Sequence, residues 1–97
     1  MAEDKKVVMQ TGFLADNLGF LIKLRNMHIM LAIRCDKQID EFIKFSANRD
    51  VSPEEHTRII KLHVESELHT ETVGLLNTIT GDTPTINDID KMIEMFK

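Results

Sequence analysis

The sequence predicts an all-α chain, a long antiparallel helical hairpin plus a short C-terminal helix, assembling into a helical-bundle oligomer. Three observations carry the hairpin. Apolar residues recur at intervals of three and four, not two, from Phe13 to Phe45 and again from Ile60 to Ile79. Ser52-Pro53-Glu54-Glu55 has the composition of a helix start. Only a few residues around Asn48-Arg49-Asp50 separate the two periodic stretches, and so short a connection forces antiparallel neighbours.

Residues 1–10 read as a flexible polar arm ahead of a single helical domain over 11–97. The first helix is expected over about 13–47, a stretch without proline that Gly19 alone interrupts. A mid-helix glycine costs up to ~1 kcal/mol relative to alanine, which the many Leu, Ile, Met and Lys positions absorb. At 1.5 Å per residue this helix is roughly 50 Å long. One ladder along it is Phe13, Phe20, Leu24, Met27, Leu31, Cys35, Phe42 and Phe45, with Gln38 filling a slot.

The second helix is expected over 53–80. Ser52 takes the N-cap, Pro53 the first turn, and Glu55 reaches back to the cap while its charge suits the positive helix end. Its main stripe is Ile60, Val64, Leu68, Leu75 and Ile79, and Gly81-Asp82-Thr83-Pro84 ends it. The third helix, over 86–96, is capped by Thr85 or Asn87 and aligns Ile86, Ile89, Ile93 and Phe96 with Met92 beside them. The first helix is the longer hairpin arm, so the third is expected to lie against residues 13–30 of its overhang. Asp36, Asp40 and Glu41 should lie level with Arg58 and Lys61 and fix the hairpin register.

The apolar surface exceeds what one hairpin covers. A second stripe on the first helix, Leu18, Ile22, Ile29 and Ile33, lies about opposite the ladder, and the apolar arc reaches roughly 240° against the ~100° an ordinary surface helix needs. On the second helix Ile59, Leu62, Val73 and Leu76 lie away from the main stripe. The expected interface therefore comprises Leu18, Ile22, Ile29, Ile33, Leu62 and Val73, and two hairpins forming a four-helix core is its simplest use.

Composition narrows the function. A chain of 97 residues is one small domain, and 42% hydrophobic with 29% charged residues is globular. The net charge of −4 repels phosphate backbones, so nucleic acid is not an expected partner. Residues 1–49 carry eight basic and six acidic side chains, and residues 50–97 carry four and ten, an asymmetry that suits a chain folding back on itself. With one cysteine, Cys35, no internal disulfide forms, and no apolar run approaches the ~18 residues of a membrane span. A cytoplasmic protein without membrane attachment is expected.

No motif carries specific chemistry. His63 and Glu67, and Glu65 and His69, are four apart and share helix faces, but zinc needs three or four ligands and the Glu-x-x-His spacing of bundle di-iron sites does not occur. Cys35 sits in the core ladder, Ser52 is a cap, and Gly81-Asp82-Thr83 lacks the glycine spacing of a phosphate loop. No catalytic residue, metal or cofactor is assigned. The expectation is a non-enzymatic protein-interaction module, a small regulator, adaptor or inhibitor of bacterial or phage type, whose partner is a second copy (a dimer first) or another protein. The alternative is a small-ligand or nucleotide binder with pockets between protomers, where Arg25, Arg34, Arg58 and Lys61 supply anion contacts and phenylalanines supply stacking.

Overall fold

A computed structural model describes the backbone of residues 2–96 and the side chains from Asp16 to Phe96. It contains α1 (Ala2–Ser46), α2 (Pro53–Thr80) and α3 (Ile86–Glu94), with no strand among the described residues. α1 and α2 pack as an antiparallel hairpin and the short α3 packs on α1. The arm expected over 1–10 belongs to the stretch whose side chains lie outside the described residues.

Local chemistry sets the ends of α2 and α3. The Ser52 hydroxyl accepts from the Glu55 N–H at 3.2 Å, and the Glu55 carboxylate accepts from the Ser52 N–H at 3.3 Å. This capping box satisfies two backbone donors that the first helical turn leaves unpaired. Thr85 and Asp88 repeat the device at the start of α3, at 3.1 Å in both directions. Gly81 ends α2 at φ 68°, ψ 14°, a left-handed conformation that suits a residue without Cβ, and its N–H donates to the Asn77 carbonyl.

Cross-helix hydrogen bonds fix the hairpin register. Ser66 donates to Asp36 at 2.7 Å, the Cys35 thiol approaches Glu65 at 3.9 Å, and His28 meets His69 at 2.9 Å. The less exposed positions then form two seams of steps of three and four: Arg25, His28, Ala32, Cys35, Ile39, Phe42 and Ser46 on α1, against Glu55, Ile59, Leu62, Ser66, His69, Val73, Leu76 and Thr80 on α2. Such steps keep a seam on one side of a helix with about 3.6 residues per turn. The expected pairing of Asp36, Asp40 and Glu41 with Arg58 and Lys61 does not form among the described residues, because Asp36 is taken by Ser66 on the near side of the seam.

Two placements differ from the sequence reading. The stripe Ile60, Val64, Leu68, Leu75 and Ile79 turns away from α1, and the line through Ile59, Leu62, Val73 and Leu76 packs against it. Both lines have helical period, so period alone does not choose between them. The second difference is α3, which lies beside the middle of α1 and not over residues 13–30. The Arg25 guanidinium holds Asp82 through its carboxylate at 2.6 Å and its carbonyl at 2.9 Å, turning the chain back immediately after α2. α3 then runs parallel to α1 until the Lys37 ammonium donates to the Phe96 carbonyl. Met92, not Ile86, is the buried residue of α3, and Ile86 stays 79% exposed.

Candidate interaction surface

Two apolar strips remain in water once the three helices are packed. The first runs along the back of α2, where Ile60, Val64, Leu68, Leu75 and Ile79 are each about half exposed or more, up to 65% at Leu75. Thr57 and Thr78 lie on the same side, and each returns its hydroxyl to the carbonyl four residues earlier, as do Thr70, Thr72 and Thr80. The second strip runs along the flank of α1 away from α3. Phe20, Met27 and Phe45 stand largely exposed there, with Leu24, Leu31 and Phe42 half-buried between them.

The hairpin tip carries the end of the second strip. Phe45 is 71% exposed and lies 4.5 Å beneath the Arg49 guanidinium, a cation–π contact. Arg49 also pairs with Glu55, donating through Nη1 at 3.0 Å and through Nη2. The Arg49 hydrogen bonds and the Ser52 cap hold the Glu55 carboxyl at about 2, below its ordinary 4.5. Beside them Gln38, Glu41, Phe42 and Phe45 face Arg58, Ile59 and Leu62 across an open groove of about 390 Å³.

The residues expected at an interface divide between three environments. Ile29 is buried, and Ile22 and Ile33 are half-buried on the side of α1 where α3 packs. Leu18 stands 38% exposed at the α1 overhang. Leu62 and Val73 are half-buried in the α1–α2 seam. Of the four expected anion contacts, Arg25 is committed to Asp82 and Asn26, Arg58 lines the tip groove, and Arg34 and Lys61 are exposed. The structure brings none of the four together in one pocket among the described residues.

The seam between α1 and α2 carries polar groups that the sequence alone did not pair. His28 Nδ1 and His69 Nδ1 lie 2.9 Å apart, with ring centroids separated by 5.1 Å and planes tilted by 41°. Burial pushes the Cys35 thiol up, and the neighbouring Glu65 and Asp36 carboxylates push it further, so this buried sulfur is held as a thiol and not as a nucleophilic thiolate. Arg25 and Asp82, and His28 and His69, become visible in sequence only after a register is chosen, since their separations are 57 and 41 residues. Among the described residues no three His, Cys, Asp or Glu side chains gather as a metal-ligand group. No helix among them is long and apolar enough to cross a membrane. Compared with family models, curated proteins and solved structures, the chain matches none.

Proposed function

We propose that the chain is a non-enzymatic interaction module that pairs with a second copy through the back of α2. Regulation, adaptation or inhibition of another protein then follows from what that assembled surface binds. The observation that carries the reading is the apolar strip of Ile60, Val64, Leu68, Leu75 and Ile79, broken only by Glu71, which none of the described residues covers. Its length along α2 matches an interface between aligned helices better than a socket for a short peptide. The accessible surface supports the same view: 7582 Å² is exposed, whereas a compact monomer of 11.2 kDa exposes about 5,700 Å². The excess, about 1,900 Å² for one chain, is more than the ~800 Å² that each partner gives up in a standard protein–protein interface.

The test is the solution mass of the wild-type chain and of Leu68→Glu/Leu75→Glu by light scattering coupled to size exclusion. The wild type is expected to be a dimer, and the double variant a monomer with unchanged helical circular dichroism, because both side chains point away from α1. A wild-type chain that stays monomeric up to about 1 mM overturns self-association. The groove of Gln38, Phe42, Phe45 and Arg58 favours a second reading, a small anionic aromatic ligand at the hairpin tip. A nucleotide that raises Tm in the wild type but not in Arg58→Ala would carry it.

A further inference from the structure

Two imidazoles meet in the seam at positions where a helical hairpin ordinarily places aliphatic side chains. His28 comes from α1 and His69 from α2, and their Nδ1 atoms are 2.9 Å apart. Two ring nitrogens that face each other at this distance need one proton between them. In the neutral pair one ring donates its Nδ1–H to the other ring's Nδ1 lone pair, and the accepting ring carries its own proton on Nε2. A first added proton settles on the donor ring's Nε2. It makes that ring an imidazolium and leaves the contact in place, now as a charge-assisted hydrogen bond. A second added proton has only the accepting Nδ1 left to occupy. Filling it sets two N–H groups and two positive charges against each other.

We propose that His28 and His69 form a proton-operated latch in the α1–α2 seam, closed while the pair holds at most one added proton and opened by the second. Histidine side chains change charge between about pH 5 and 8, so mild acid is the trigger. Both rings are half-buried and not sealed, so water delivers the protons. On α1 the charged group facing the pair is Arg25, one turn before His28, and on α2 it is Glu65, one turn before His69. Asp88 at the start of α3 lies close enough to Arg25 to feel its charge. Cys35, further along the α1 seam, is held as a neutral thiol. Lys23, Glu67 and Glu71, the next charged side chains along the two helices, are exposed. Asp82 is taken by Arg25 and Glu65 faces the Cys35 thiol, so neither carboxylate stands between the rings to offset a second positive charge. Opening falls on the C-terminal half of α2. The tip end keeps its Arg49–Glu55 pair, whereas Leu76, buried two turns beyond His69, loses its cover. The seam lies on the far side of α2 from the exposed strip, so the latch stands whether or not the chain dimerises.

The test is amide hydrogen exchange of the full-length chain, followed by NMR at pH 7 and pH 5 and corrected for the intrinsic exchange rate. Both values lie above the range in which the Glu55 cap is lost. At pH 5 the amides from His69 to Asn77 are expected to lose about tenfold or more of their protection, while those from Thr57 to Leu62 change less than about threefold. The His28 and His69 ring signals should already have moved before protection falls, since the first proton leaves the latch closed. This regional contrast is read in the wild-type chain and needs no variant to fold. His28→Leu/His69→Leu should keep its pH 7 protection at pH 5. His56→Gln/His63→Gln should behave as the wild type, since both residues are exposed and lie outside the seam. Unchanged protection, a loss spread evenly along α2, a loss in step with the first movement of the ring signals, or an equal loss in the double leucine variant each overturns the proposal.

Discussion

Arg25 keeps only 3% of its surface in water while the Asp82 side chain remains about half exposed. The two ends of this ion pair therefore tolerate loss unequally. Without Asp82 the buried guanidinium keeps Asn26 Oδ1 and one carbonyl but has no counter-charge, whereas without Arg25 the carboxylate simply rehydrates. Asp82→Ala should cost about 2–4 kcal/mol and Arg25→Met about 1 kcal/mol or less, since Met fills the place of the arginine stem. Urea denaturation of the two variants checks the order, and equal losses would overturn the asymmetry between the two ends of the pair. In the sequence Arg25 reads as a surface cation available to a ligand. Its partner lies beyond a helix reversal, and nothing local to position 25 marks it as buried.

The ends of α2 were legible and the helix faces were not. Ser52-Pro53-Glu54-Glu55 and Gly81 act within a few residues, so the sequence holds all the chemistry that places them. The faces depend on competition between two apolar lines on each long helix. On α2 the cleaner line, Ile60 to Ile79, turns outward, and the line that packs includes Glu55, Ser66, His69 and Thr80. Those polar residues made the true seam resemble a solvated face until partners on α1 accounted for them. The capping box of α2 also carries a pH dependence of defined sign. The Glu55 carboxyl titrates at about 2 in the folded chain and near 4.5 when released, so it favours folding above about pH 4.5 and loses that contribution as pH falls towards 2. Stability measured by urea midpoint from pH 6 to pH 2.5 should fall less steeply in Glu55→Gln than in the wild type. Parallel curves would show that other carboxyls govern the acid limb.

The molecule as a whole is a rod, 66 × 29 × 15 Å, with a radius of gyration of 18.4 Å, where a compact chain of this length would have about 12–13 Å. The all-α class and the hairpin followed from the sequence because a short link leaves two long helices little choice. The position of α3 did not, because it is set by one long-range ion pair at Asp82 and one hydrogen bond from Lys37 to the end of the chain. As a result α3 thickens the middle of the rod, and Leu18 and Phe20 at its other end stay in water. The rod shape makes the mode of pairing measurable. Dimerisation through the back of α2 should double the mass in small-angle scattering while leaving the longest dimension near 66 Å. Pairing through the α1 overhang would lengthen the particle towards twice that value and would move the interface off α2.

The threonines of α2 add a thermal property to this surface. Thr57 and Thr78 close their hydroxyls onto their own helix, so on the side shared with Ile60 and Ile79 they offer methyl groups to the surroundings. A hydroxyl already bonded within the helix gives up little hydration when covered. The back of α2 is thus drier than a mean hydropathy of −0.16 for the chain suggests. Covering such a surface lowers the heat capacity and draws its free energy from the release of water, a driving force that weakens as water cools. An assembly built on it would loosen in the cold and tighten towards body heat, up to the point at which the helices themselves melt.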